Sequence, residues 1–178
     1  MNKLFIKDKI VPEYLFDDIL YDLQSKISRE SGIVGDQRIN KSFRDSISKP
    51  LRSSEFLDLN RILENYCSKL DNKHIPSTLI VKEYEYLKYK IAGHFKPHTD
   101  VIPPKIKNKV RRFTAVTLLS KTDDLEGGDL MVFDENKNAI NTTLEVGETV
   151  LFYSSTLHQV TPITKGGREV LVAWIYDR

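Results

Sequence analysis

The sequence predicts a mainly β fold, a sandwich or jelly roll buttressed by N-terminal helices. Three observations point to it. Apolar residues recur at helical spacing in the first third. After Ser77, short runs rich in Val, Ile, Tyr and Phe alternate with turn signals. No glycine-rich phosphate loop sits between a strand and a helix, which removes the Rossmann and P-loop alternatives.

The first helix is predicted from Pro12, which suits a first helical turn, through Tyr14, Leu15, Ile19, Leu20 and Leu23 to about Ile27. Residues 32–53 are polar, punctuated by Gly35 and Pro50, and are expected to form a loop with at most one short strand. A second helix, capped by Ser53 or Ser54, would bury Phe56, Leu57, Leu59, Ile62, Leu63, Tyr66 and Leu70, and end at His74 and Pro76. Strands are expected over 79–89, 113–119, 129–133, 149–153 and 170–176. Pro103-Pro104, Asp123-Asp124, Gly127-Gly128, Asn136 to Asn138, Gly147 and Gly166-Gly167 supply the turns between them. The expected organisation is one domain over 1–178, with a helical support region (1–76) and a jelly-roll catalytic core (77–178).

Composition narrows the function classes. A chain of 178 residues that is 40% hydrophobic and 29% charged can bury one ordinary globular core. A net charge of +2 gives no bulk attraction to nucleic acid or to an anionic membrane, so neither is an expected partner. The single cysteine, Cys67, cannot close an internal disulfide and is expected to pack in or at the edge of the core. The N-terminal apolar run is too short for a signal-peptide core and no stretch could span a bilayer, so a cytoplasmic location is expected.

The chemistry gathers around two of the four histidines. His98-Thr99-Asp100 places an imidazole and a carboxylate two residues apart, and on extended backbone both point to one face. A third ligand must come from elsewhere, and His158, just beyond the apolar run Val150-Leu151-Phe152-Tyr153, is the candidate. Two histidines and one carboxylate leave coordination positions open, which is the arrangement of non-haem iron(II) oxygenases. His-x-Asp alone is a weak pattern; Arg168 strengthens it. If the turn signals from Pro162 to Gly167 make a hairpin, Arg168 returns at about the depth of His158, where a guanidinium can fork onto the far carboxylate of a keto diacid.

From about Glu83 to Tyr176 the chain resembles the catalytic domain of prolyl 4-hydroxylase-type 2-oxoglutarate/iron(II) oxygenases. The resemblance is carried by Tyr89, Gly93, Phe95, Pro97-His98-Thr99-Asp100, Arg112, Thr114, Glu126-Gly127-Gly128-Asp129-Leu130, Gly147, His158, Pro162, Gly166 and Arg168. It implies a double-stranded β-helix, with His98, Asp100 and His158 as both iron ligands and catalytic centre. Arg168 would pair with the distal carboxylate of 2-oxoglutarate, and Tyr89 would hydrogen-bond that co-substrate from the pocket wall. Phe95 and Leu118 stand where other members carry tyrosine, so Thr114, Thr149 and Tyr153 are candidates to replace the missing hydroxyls.

The implied activity is hydroxylation of a C–H bond, with Fe(2+), dioxygen and 2-oxoglutarate, and ascorbate as a candidate reductant. A prolyl residue of a peptide or protein is the expected substrate; a free amino acid or other small metabolite is the alternative. A metal-dependent isomerase or hydrolase, which would not need Arg168, and a non-catalytic metal- or ligand-binding module are the competing classes. The basic stretch Val101 to Arg112, with Lys105, Lys107 and Lys109, is either a solvated loop or a lid over substrate. His94 is expected to be structural or solvent-facing, and Trp174 to lie in the core, with lining of the pocket as the alternative.

Overall fold

A computed structural model describes residues 4–25, 29–30, 40–71, 78–102 and 110–178. The N-terminal part holds β1 (Phe5–Asp8), α1 (Glu13–Ser25), β2 (Arg29–Glu30), β3 (Arg44–Asp45), β4 (Ile47–Arg52) and α2 (Leu57–Leu70). Then come β5 (Leu79–Tyr89), β6 (His94–His98), β7 (Arg111–Lys121), β8 (Glu126–Gly127), β9 (Leu130–Phe133) and β10 (Ala139–Asn141). The chain ends with β11 (Thr149–Tyr153), β12 (His158–Val160), β13 (Ile163–Lys165) and β14 (Arg168–Asp177).

Among the described residues these strands form two main antiparallel sheets. The larger runs β1-β11-β7-β14-β5-β4-β2 and the smaller β10-β9-β12-β6-β3; β13 and β8 make a separate pair. The two sheets face each other around an apolar interior, which is the jelly roll the sequence predicts. Residues 1–76 supply strands to both sheets as well as the two helices.

The larger sheet is covered on both faces, so its central strands read as continuous apolar runs rather than alternating ones. Along β14, Leu171, Ala173 and Ile175 join the helix-side core with Leu59, Leu63, Cys67 and Leu70 of α2. Val170, Val172, Trp174 and Tyr176 turn inward to meet Val116, Leu130, Phe152 and Val160. In β5 an extra residue at Lys82, where the register with β14 slips, puts Val81 and Tyr84 on the helix side although they are three apart.

Three local expectations are corrected. Neither Ser53 nor Ser54 caps α2: the helix begins after Phe56 with no side-chain cap, preceded by a 3-10 turn over Ser53–Glu55. Asn60 Nδ2 instead donates to the Ser53 carbonyl at 2.9 Å. The region read as loop carries β3 and β4, and β4 extends the larger sheet through β5. Its Pro50 and Lys49 break the apolar alternation that marks a strand, yet Ser46, Ser48 and Lys49 are buried. The segment from Pro162 to Gly167 is not a hairpin joining paired strands. β12 pairs with β6 and β9, whereas β14 pairs with β5 and β7, so His158 and Arg168 stand on opposite sheets.

In α1, Ile19 is buried, Leu15 is partly buried and Tyr14 is exposed; the side chains of Leu20 and Leu23, like Ile27, lie outside the described residues, as do His74, Pro76 and Lys105, Lys107 and Lys109 of the basic stretch. Among the described residues no helix is long and apolar enough to cross a membrane.

Candidate metal centre and cavity

The smaller sheet supplies the two imidazoles. β12 runs antiparallel to β6 with His158 directly opposite His98, and the ring centroids are 4.2 Å apart. Asp100 lies two residues beyond β6, where its backbone N–H donates to the Ser154 carbonyl at 2.8 Å and so ties the C-terminal end of β6 to the chain just after β11. Donor atoms of His98, Asp100 and His158 all lie within 4.8 Å of one another. His98 Nε2 is 3.7 Å from Asp100 Oδ1, and His158 Nε2 is 3.7 Å from Oδ2. Such separations let one first-row divalent ion sit about 2.1 Å from each donor.

Hydrogen bonding aims the rings. His98 Nδ1 donates to the Lys96 carbonyl at 2.7 Å and His158 Nδ1 to the Thr156 carbonyl at 2.9 Å. A carbonyl can only accept, so each Nδ1 carries a proton, and each Nε2 is the ring nitrogen turned to the centre. Burial, followed by the facing His158, lowers the His98 pKa to about 4, so that ring is neutral at neutral pH. Burial opposes ionisation of Asp100. The two imidazoles, His158 before His98, and hydrogen bonds from Trp174 and Thr114 outweigh it and hold the carboxyl below its ordinary range.

The larger sheet forms the opposite wall. Thr114 Oγ1 donates to Asp100 Oδ2 at 2.8 Å, and Trp174 Nε1 donates to the same oxygen at 3.1 Å. Phe95 stacks on the His98 ring at 3.5 Å between centroids. A cavity of about 440 Å³ of empty space, counting its open mouth, reaches from the triad past Val116, Leu130, Val160 and Val170 to Tyr89 and Arg168.

Arg168 is 5% exposed and sits directly across from Tyr89 in the β14–β5 pairing. Its Nη1 donates to the Gly128 carbonyl. Its Nε and Nη2 are buried without a hydrogen-bond partner among the described residues. Those two donors form one edge of the guanidinium, the edge that forks onto a carboxylate. Burial lowers the Arg168 pKa, opposed by Tyr89 and Asp129. An arginine left with two unmet donors in an apolar cavity is poised for an anionic ligand.

The candidates to replace the missing tyrosine hydroxyls fare differently. Thr114 faces the cavity but is occupied with Asp100. Thr149 turns to the other face, where its hydroxyl pairs with Thr117 at 2.7 Å, and Tyr153 packs on Phe113 beside the helix-side core. His94 is structural: its ring nitrogens lie 2.9 Å from the Ala92 carbonyl and 3.3 Å from that of Ser42.

Two cavity residues escaped the sequence reading, Arg44 and Glu85. Arg44, buried in β3, pairs with Glu85 at 3.0 Å, and its guanidinium lies 4.8 Å from the centre of the Phe95 ring. Arg44, Ser46 and Ser48 are all buried at alternate positions, a polar period-two pattern that could have marked a strand with an inward polar face. Trp174 is buried in the inner core cluster, as expected, and also lines the cavity, with its Nε1–H on Asp100.

The comparisons with known proteins agree with this geometry. The sequence profile of the 2OG-Fe(II) oxygenase superfamily matches residues 84–176, just over half of the chain. A PKHD-type hydroxylase of Synechococcus sp. (strain CC9605) is 40% identical over 72 residues, which are 40% of this chain and 32% of that protein. The first curated relatives are matched over 32%, 40% and 58% of their own lengths. In fold, the chain is similar to a Pseudomonas putida prolyl-4-hydroxylase, with a TM-score of 0.74 at 17% identity over 98% of this chain and 93% of that one. It is also similar to a Trichoplax adhaerens prolyl hydroxylase in complex with a hypoxia inducible factor oxygen degradation domain peptide fragment, with a TM-score of 0.71 at 15% identity over 98% and 84%. The chain belongs to the 2OG-Fe(II) oxygenase superfamily.

Proposed function

We propose that this protein is an iron(II)- and 2-oxoglutarate-dependent dioxygenase that hydroxylates a C–H bond. His98, Asp100 and His158 would hold the iron, and Arg168 with Tyr89 would hold 2-oxoglutarate. The observation that carries this reading is Arg168: a buried guanidinium with an unmet fork of two donors, in the same cavity as three convergent metal-type donors. A metal-dependent isomerase or hydrolase that works without 2-oxoglutarate would have no use for that fork.

The donor set fits the ion. Two imidazoles and one carboxylate leave positions for a chelating co-substrate and dioxygen. Iron(II) held there would supply dioxygen activation: dioxygen is the four-electron oxidant, with two electrons drawn from 2-oxoglutarate as it becomes succinate and carbon dioxide and two from the substrate C–H bond. The protein supplies orientation and dryness. Arg168 fixes the far end of the keto acid, Val116, Leu130, Val160 and Val170 exclude water, and the Nδ1 hydrogen bonds keep both rings aimed.

The finer reading is a prolyl residue of a peptide or protein as substrate, supported by the likeness to prolyl hydroxylases and to one with a bound peptide. The buried Arg44–Glu85 pair favours a second reading, a free amino acid or small metabolite, because a second charged pair on the cavity wall suits a zwitterion. One catalytic domain over 1–178 and a cytoplasmic location complete the proposal. The test is 2-oxoglutarate-dependent succinate release by iron-loaded protein, screened over prolyl peptides, free amino acids and small metabolites. Stimulation by one class identifies the substrate, and His98→Ala and Asp100→Ala should abolish it. Protein that neither binds nor turns over 2-oxoglutarate would falsify the reading.

A further inference from the structure

Asp100 receives both of its side-chain hydrogen bonds on one oxygen, Oδ2, from Thr114 and Trp174. The Trp174 indole is in turn covered by Arg111, whose guanidinium carbon lies 4.1 Å from the ring centre. Arg111 is itself immobilised. Its Nε donates to the Tyr176 hydroxyl at 2.7 Å and its Nη2 to Glu83 Oε2 at 2.6 Å, while the Tyr176 hydroxyl donates to the same glutamate oxygen at 2.9 Å. These groups share the inner face of the larger sheet: Tyr176 is paired with Arg111, and Trp174 with Glu83 and Thr114.

We propose that Arg111 is a positioning residue for the metal centre and acts through Trp174. Held flat by Glu83 and Tyr176, its guanidinium clamps the indole so that the Nε1–H stays on Asp100 Oδ2, which fixes the carboxylate with Oδ1 turned to the ion. The physical basis is twofold. A guanidinium over an aromatic face is attracted by the ring quadrupole and resists tilting of the ring. A hydrogen bond to the non-ligating oxygen orients the ligating one, and loss of such outer partners typically lowers metal affinity by about 10- to 100-fold. Lysine cannot serve, because it lacks the plane that covers the indole and the fork that reaches both Tyr176 and Glu83.

This inference rests on Asp100 being a metal ligand, and the experiment separates the two. Co(II) alone is titrated calorimetrically into metal-free full-length protein: wild type, Asp100→Ala, Arg111→Met, Trp174→Phe, and the Arg111→Met/Trp174→Phe double variant. The expected result is a drop of about tenfold for Arg111→Met, a drop at least as large for Trp174→Phe, and no further drop in the double variant, because Arg111 acts only through the indole. Wild-type affinity in Arg111→Met, or an equal loss with and without Trp174, overturns the clamp while leaving the metal reading standing. Unaltered affinity in Asp100→Ala overturns the metal reading and the clamp with it. Should Arg111→Met fail to fold, Glu83→Gln, at a half-exposed carboxylate, loosens the same clamp. It should lower affinity by a smaller factor only when Trp174 is present, and wild-type affinity there overturns the proposal.

Discussion

His98 and His158 are direct cross-strand partners, and each turns its Nδ1 onto the carbonyl two residues before it. The same local bond, made twice on adjacent antiparallel strands, aims two Nε2 atoms at one point. Metal-free protein is therefore expected to be largely preorganised. At a hundredfold excess of free Co(II) over its Kd, binding should stabilise the fold by about 2.7 kcal/mol, raising Tm by roughly 5 to 11 °C for a chain of this size. His98→Ala or His158→Ala should remove that response in a thermal melt; a wild-type Tm indifferent to Co(II) would contradict the site.

Arg168 illustrates how binding and stability diverge. With Nε and Nη2 unmet and the group 5% exposed, the apoprotein bears an uncompensated desolvation cost. Arg168→Met, similar in length and uncharged, should leave the apoprotein at least as stable as wild type by thermal melting. The same variant should lose 2-oxoglutarate affinity by at least about tenfold, the order expected for a lost charge-assisted fork. A variant that melts several degrees lower yet binds 2-oxoglutarate normally would assign Arg168 a structural role instead.

Gly128 couples the backbone to that arginine. Its φ is +71°, its carbonyl receives Arg168 Nη1, and an added Cβ would lie 2.7 Å from Ile163 Cγ1 and 3.3 Å from Arg168 Cδ. Gly128→Ala is expected to destabilise the protein by about 1–2 kcal/mol from the left-handed backbone alone, and in addition to weaken 2-oxoglutarate binding by displacing Arg168. Chemical denaturation and a 2-oxoglutarate titration on the same sample check both parts. Unchanged affinity would show that the guanidinium is positioned independently of this turn.

The acid limb of stability should carry the signature of His98. Its folded pKa of about 4 lies below the ordinary 6.5, chiefly through burial and then the facing His158, with Arg44 acting the same way and Asp100 opposing. The unfolded chain therefore binds this proton more readily. Stability is complete above about pH 6.5 and is lost as pH falls towards about 4, by at most about 3 kcal/mol from this group. Metal-free His98→Gln should lose less stability than wild type between those pH values in urea titrations. Parallel losses would assign the acid sensitivity to other groups.

How far the sequence foretells this architecture depends on what each segment buries. The strands from Leu79 onward are legible because they carry runs of Val, Ile, Phe and Tyr between Gly, Pro and Asn turns. β4 is not, because Ser48, Lys49 and Pro50 disguise a strand that extends the larger sheet beside β5. The triad is legible because an extended His-x-Asp pair fixes its own geometry and needs only one distant partner.

The placement of Arg168 followed a different path from the expected one. A hairpin would have set it beside His158, whereas it approaches from the opposite sheet, beside Tyr89. The residue is within reach of the cavity in either arrangement, because a jelly roll interior is narrow enough for a long side chain to cross. Arg44, Glu85 and the Arg111–Trp174 contact join residues far apart in sequence through sheet pairing and side-chain reach, and no local pattern encodes them.

Trp174 is the chain's only tryptophan, and its indole N–H ends on Asp100 with a guanidinium stacked on its face. All indole fluorescence from this protein thus originates within touching distance of the proposed ion site. Emission intensity and wavelength become an intrinsic optical reporter, sensitive to a paramagnetic ion through quenching and to the charge of Arg111 through a spectral shift, with no label introduced.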